Sequence, residues 1–213
     1  MIPRSKKIIV IGGGILGLSI SREFLKQGYK NITLLEKEKY VANHQSSRNS
    51  GVIHSGLYYQ PGSLKANLTR KGIVLMKKYC IQNSLLWEEC GKVVVANEEN
   101  EIERLNQLFQ KGLANNLSGL KMLNSKEVSH LEPYVKAKAG IHVPEESIVN
   151  YKNVAKKFQE DICSMGGEIR LFSKVVGIKS ELNFEELILQ TGESIKGDIV
   201  IIAAGLYGDK ISK

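Results

Sequence analysis

Lys7-Ile8-Ile9-Val10-Ile11 runs into Gly12-Gly13-Gly14-Ile15-Leu16-Gly17, and Leu18 to Gly28 continues as a helical stretch. Gly12, Gly14 and Gly17 stand at G-x-G-x-x-G spacing, and a second strand, Ile32-Thr33-Leu34-Leu35, ends on Glu36. Strand, glycine turn, helix, strand and terminal acid form the βαβ unit that holds the ADP half of FAD or NAD. Gly12 makes the tight turn, Gly14 leaves room for a pyrophosphate, and Gly17 lets helix and strand pack closely. The helix N-terminus aims amide N–H groups and the positive end of its dipole at the phosphates. Glu36 follows Gly17 by 19 residues. A carboxylate there accepts hydrogen bonds from both ribose hydroxyls and disfavours the 2′-phosphate of NADP. The glycine spacing alone is a weak signal. The flanking elements make it a strong one, against a glycine-rich turn in some other α/β protein.

The chain has 213 residues and 42% hydrophobic content, enough for a sizeable core in one or two domains. Thirty basic residues against 22 acidic ones give a net charge of +8. The lysines are scattered and no nucleic-acid motif is present, so the charge reads as a solvated surface that also suits an anionic cofactor and substrate. Cys80, Cys90 and Cys163 are odd in number and lack CxxC spacing. They form neither a metal site nor a disulfide framework and suit a reducing compartment, so the expected location is cytoplasmic. The apolar run at the N-terminus is cut short by glycines and reads as a strand, not a signal peptide. No apolar run approaches the roughly 18 residues of a membrane-spanning helix. Peripheral contact with the inner face of the membrane stays open, without an amphipathic anchor to carry it. His44, His130 and His142 show no ligand spacing, and no metal is expected.

Residues 37–63 are rich in Ser, Asn, His, Gly and Tyr and read as a long site-lining loop. Leu64, Leu68, Leu75, Met76 and Tyr79 then recur at helical spacing. Leu85–Trp87 and Lys92–Ala96 read as a strand pair around Gly91, and Glu98–Leu113 as an amphipathic helix. Ser125 reads as the N-cap of a short helix ended before Pro133. Short strands are expected at 140–143 and 147–149, a helix from Asn150 or Tyr151 to Met165, and strands at 168–172, 174–178, 187–190 and 198–203. Ile199-Val200-Ile201-Ile202-Ala203-Ala204-Gly205 is a continuous apolar run, expected as a strand buried on both faces. Its small Ala203-Ala204-Gly205 end would let a flavin approach the backbone. The expected architecture is α/β: a discontinuous Rossmann-like nucleotide domain, 1–84 and 150–213, interrupted by a β-rich piece of a substrate domain, 85–149.

The loop His44-Gln45-Ser46-Ser47-Arg48-Asn49-Ser50-Gly51-Val52-Ile53-His54-Ser55-Gly56-Leu57-Tyr58-Tyr59, followed by Ser63-Leu64-Lys65-Ala66, resembles the L-2-hydroxyglutarate dehydrogenase/oxidase family. These are FAD enzymes of the D-amino-acid-oxidase-like superfamily. Cys90-Gly91-Lys92, Glu132-Pro133, Ile148-Val149, Gly166-Gly167, Val175 with Gly177, and Ala204-Gly205-Leu206 extend the resemblance along the whole chain. Arg48 departs from it by standing where the family has a histidine, and Thr69 where a cysteine is common. The family runs to roughly twice this length. The resemblance therefore implies an incomplete fold, lacking the rest of the substrate domain, and a chain that by itself is inactive.

The resemblance implies FAD as cofactor, oxidation of a 2-hydroxy acid, foremost L-2-hydroxyglutarate, to the 2-keto acid, and a quinone or oxygen as electron acceptor. Gly12, Gly14, Ile15, Gly17, Glu36, Lys37, Ser46, Ser47, Asn49, Ser50, Gly51, Val175, Ala203, Ala204 and Gly205 form the expected cofactor set. His54 is the candidate base, because imidazole titrates near neutrality and the loop is expected to face the flavin ring. Packing against the flavin is the equal alternative. Arg48 is the candidate partner of a substrate carboxylate, and Tyr58 and Tyr59 are candidate pocket walls. For Lys65 and Arg70 a solvated face is favoured. Two other readings stand beside this one: an inactive or split-subunit FAD-binding chain, and an amine or amino-acid oxidase of the same superfamily.

Overall fold

The computed structural model describes residues 2–211; Met1, Ser212 and Lys213, which end the expected nucleotide domain, lie outside the described residues. In chain order the first elements are β1 (Ile8–Ile11), α1 (Ile15–Lys26), β2 (Ile32–Leu35), β3 (Val52–Ile53), α2 (Leu64–Gln82), β4 (Trp87–Glu88) and β5 (Lys92–Ala96). Then follow α3 (Glu99–Ala114), β6 (Lys121–Asn124), α4 (Ser125–Leu131), β7 (Ala139–Val143), β8 (Ser147–Val149) and α5 (Tyr151–Ser164). The last are β9 (Glu168–Arg170), β10 (Val175–Ser180), β11 (Glu185–Leu189), β12 (Ser194–Gly197), β13 (Ile199–Ile202) and α6 (Gly208–Ile211).

The chain divides into two units. The first holds the described residues up to Asn49 and from Tyr151 onward; the second is Ser50–Asn150. In the first, β13, β1, β2 and β9 form a parallel sheet in that order. Ile8 to Ile11 are nearly inaccessible, because both faces of β1 are covered. Ile9 and Ile11 pack with Leu35 and with Val175, Leu187, Leu189 and Ile195 of the antiparallel sheet β10-β11-β12. Val10 points the other way, toward α1, and α1 packs against α5. The second unit has two antiparallel sheets, β3-β8-β4 and β5-β7-β6. Leu57, Ala96, Leu105, Leu117, Ile141 and Val143 fill its main core, beneath α3.

The α/β class and the parallel nucleotide-type sheet match the sequence expectation. Five expectations need correction. Residues 50–84, placed with the nucleotide domain, lie in the second unit. There β3 pairs with β8, and Arg70 of α2 bonds Glu145 and the Asn116 carbonyl. Leu85–Trp87 and Lys92–Ala96 do not pair with each other: β4 joins β8 and β5 joins β7. Partner choice is a long-range matter that strand composition does not encode. On α2, Tyr79 of the expected stripe is buried, but Leu64, Leu68 and Leu75 are exposed, and Ala66, Ile73 and Cys80 take their place. Finally β13, expected to be covered on both faces, is the edge strand; its first three residues are half-buried and Ile202 is 37% exposed. At α4 the N-cap is Asn124, one residue before Ser125, in a reciprocal capping box with Glu127.

Candidate cofactor cradle and base-bearing cleft

The glycine turn of the first unit has no space for a side chain at Gly12 or Gly17. Gly12 has φ +111°, and a Cβ on it would fall 2.5 Å from the Ala203 carbonyl oxygen. A Cβ on Gly17 would overlap the Gly12 carbonyl oxygen. Gly14 precedes α1 with φ −75° and no side-chain cap. The cap comes from far along the chain: the Ile15 N–H donates to Ser46 Oγ at 2.9 Å. Ile15, expected to offer its amide to a phosphate, already gives it to Ser46; the Ser46 hydroxyl hydrogen is the donor that can turn toward an anion. Glu36 is buried, its Oε2 accepting the Gly13 N–H at 2.6 Å and its Oε1 the Glu38 N–H at 2.8 Å. A carboxylate oxygen has more than one acceptor direction, so Glu36 can brace the turn and still receive ribose hydroxyls.

Lys37 follows Glu36 at the end of β2. Its ammonium donates to Glu38 Oε1 at 2.7 Å and lies 4.5 Å from the centre of the Tyr207 ring. His44 Nε2 lies 2.9 Å from the same Glu38 oxygen. Hydrogen bonds, first from Lys37 and then from His44, hold the Glu38 carboxyl down at about 2, and the bond to Glu38 raises the Lys37 ammonium. Ala203 donates its N–H to the Ile11 carbonyl at 2.8 Å, which brings Ala203-Ala204-Gly205 beside the glycine turn. Val175 is in the core under β1, at a bulge in β10. Ser47 and Asn49 bond back to the carbonyls of His44 and Gln45, and Arg48 is exposed. A turn that a side chain would fill, a hydroxyl at a helix N-terminus and a buried acid at the end of β2 fit the ADP half of FAD.

The second unit carries the expected base. His54, Gly56, Leu57, Tyr58, Tyr59 and Glu146 line a cleft of about 150 Å³. The His54 ring is 56% exposed, and its Nδ1 lies 3.4 Å from Glu146 Oε2, whose side chain is 2% exposed. Glu146 Oε1 accepts the Ser55 N–H at 2.9 Å, the Ser55 hydroxyl at 2.6 Å and the Lys92 ammonium at 3.0 Å. Burial pushes the Glu146 carboxyl up; the Ser55 and Lys92 contacts outweigh it, and the net shift is downward. Lys92 Nζ also stands 4.9 Å from the Tyr58 ring centre, and Lys65 Nζ 4.4 Å from that of Tyr59. Ser50 is exposed, and Gly51, φ +73°, approaches the Val149 carbonyl too closely for a Cβ.

A family profile described as FAD dependent oxidoreductase matches residues 7–213. The chain belongs to this FAD-dependent oxidoreductase family. It is 42% identical over 209 residues to L-2-hydroxyglutarate dehydrogenase of Indibacter alkaliphilus, covering 97% of this chain and 52% of the relative. It is 39% identical over 218 residues to the human mitochondrial L-2-hydroxyglutarate dehydrogenase, covering 97% and 47%. The chain thus spans about half the length of the curated relatives it matches. Among solved structures, FAD-bound L-alpha-glycerophosphate oxidase of Mycoplasma pneumoniae superposes with TM-score 0.87 at 26% identity, covering 98% of this chain and 57% of that one. Glycine oxidase of Geobacillus kaustophilus shares the fold, with TM-score 0.87 at 18% identity and the same coverage.

Within this flavin-dependent oxidoreductase, sequence reasoning missed Glu146 and Ser55 and gave Lys92 no role. Lys92 carries part of the resemblance, but nothing in the sequence says that Glu146 is buried or that it meets Ser55 across 91 residues. Its tandem neighbour Glu145 pairs with Arg70, which was read as solvated. Among the described residues no cluster of three His, Cys, Asp or Glu side chains is placed to hold a metal ion, and no helix is long and apolar enough to cross a membrane.

Proposed function

We propose that this chain oxidises L-2-hydroxyglutarate to 2-oxoglutarate with FAD and passes the electrons to a quinone or oxygen. The observation that carries the reading is His54 at the mouth of a small cleft with a buried carboxylate at its Nδ1. The names of the relatives at 39–42% identity supply the substrate class. Gly12, Gly14 and Gly17, the Ser46 hydroxyl and Glu36 hold the dinucleotide. When bound, FAD supplies the acceptor for the hydride that leaves substrate C2. His54 takes the hydroxyl proton at Nε2, so that negative charge on oxygen favours C–H cleavage. Tyr58 and Tyr59 form the cleft walls, and the Arg48 guanidinium serves a substrate carboxylate. Three free cysteines accord with a cytoplasmic location.

A second reading has a structural feature in its favour. β13 presents half-exposed isoleucines at a sheet edge, a place where another strand can add. On that reading the chain binds FAD and needs a second polypeptide for turnover. One experiment separates the two. The purified chain is loaded with FAD and mixed anaerobically with L-2-hydroxyglutarate, its D-isomer, L-glycerol 3-phosphate or glycine. Bleaching of the flavin band by L-2-hydroxyglutarate alone supports the first reading and overturns the expectation that the chain by itself is inactive. A yellow chain that no substrate bleaches supports the second reading, and bleaching by glycine moves the substrate to amines.

A further inference from the structure

We propose that Glu146 is the positioning residue that sets the tautomer of His54, keeping the proton on Nδ1 so that the Nε2 lone pair faces the cleft. This deepens the reading of His54 as base and rests on it. The two oxygens of Glu146 are treated very differently. Oε1 takes three donors, from the Ser55 amide, the Ser55 hydroxyl and Lys92. Oε2 is sealed from solvent and has no hydrogen-bond partner among the described residues, and His54 Nδ1 stands 3.4 Å from it. A buried carboxylate oxygen without a donor is costly. A small rotation of the half-exposed imidazole brings an Nδ1–H onto it. The carboxylate itself is held in place: the Glu146 carbonyl accepts the Gly91 N–H at 2.9 Å, and Lys92 pairs the charge. The arrangement follows the logic of other carboxylate–histidine pairs, in which the acid fixes the tautomer and stabilises the imidazolium that forms on proton uptake.

The test reads the proton directly. The FAD-loaded chain is labelled with 15N-histidine, and the imidazole correlations are recorded at about pH 8, where a histidine side chain is ordinarily neutral. The chain has four histidines, His44, His54, His130 and His142; the His54 signals are those lost in His54→Asn. The wild type is expected to carry the proton on Nδ1. In Glu146→Gln the Nδ1–H to Nε2–H ratio should fall about tenfold or more, the effect of losing a hydrogen bond to a charged group. Glu146→Asp, which keeps the charge, should retain more Nδ1–H than Glu146→Gln. Where Glu146→Gln alone does not fold, Glu146→Gln/Lys92→Met removes both charges together and carries the same measurement. A wild-type His54 protonated on Nε2, or a ratio that Glu146→Gln leaves unchanged, overturns the proposal. His54→Asn with wild-type flavin reduction would instead remove the base reading and leave the tautomer result standing.

Discussion

His54, Tyr58 and Tyr59 share one short loop, so the sequence alone brought them to one cleft. On the proposed reading, replacing His54 removes the group that takes the hydroxyl proton but not the cradle for FAD. His54→Asn should keep bound FAD and slow flavin reduction by about 10²–10⁴-fold, read by stopped-flow bleaching under anaerobic substrate. Bleaching at the wild-type rate would make His54 a packing residue. Glu36 braces Gly13, and in the proposed cradle it also receives the ribose. Glu36→Ala should weaken FAD affinity by about 1.5–3 kcal/mol, the scale of hydrogen bonds to a charged group, with fluorescence quenching of FAD as the measurement. Unchanged affinity would place the ribose elsewhere. Lys37 shows the limit of reading by neighbourhood. It adjoins the buried Glu36 in sequence, yet its ammonium sits on the half-buried Glu38 and over Tyr207.

Elements built from local signals were legible. β1, the glycine turn and α1 follow from an apolar run, glycine spacing and a helical pattern in consecutive residues. Gly14→Val should abolish FAD binding. The branched side chain would enter the phosphate approach and press on Ser46 Oγ, 3.2 Å from the first added carbon. A yellow Gly14→Val protein would contradict this. At α4 the cap belongs to Asn124, and Asn124→Ala should cost about 1 kcal/mol of stability; Ser125→Ala should cost less. Denaturant melts of the two variants check the order. The strands after residue 85 were harder. β4 and β5 are adjacent in sequence and enter different sheets. On α2 the buried face carries Ala66, Ile73, Tyr79 and Cys80 and leaves three leucines exposed, a choice of face that helical spacing does not encode.

Across the molecule, two carboxylates with lowered pKa couple the fold to pH: Glu38 through its chain neighbours Lys37 and His44, and Glu146 through the distant Ser55 and Lys92. Glu38 lies near about 2 in the folded chain against an ordinary 4.5, and Glu146 is also lowered. A depressed carboxylate stabilises the fold above its unfolded value, and this stabilisation is lost as pH falls through the folded one. Thermal melts should therefore show Tm falling as pH drops from 4.5 toward about 2. Glu38→Gln should flatten that slope, and a variant with the wild-type slope would remove Glu38 from the account. The ion pairs Lys37–Glu38 and Lys92–Glu146 should also make the effect weaker at high salt.

The sequence by itself determined the α/β class, the glycine turn with its terminal acid, the flavoenzyme family and the loop that bears His54. Each rests on residues that are neighbours along the chain or repeat at a fixed period. The tertiary structure decided where the two units divide, that β13 lies at a sheet edge, that the Ser46 hydroxyl caps α1, and that Glu146 stands buried at His54. These depend on strand partners and on burial. Both are set by which distant surfaces exclude water together, and a linear pattern carries no record of that choice.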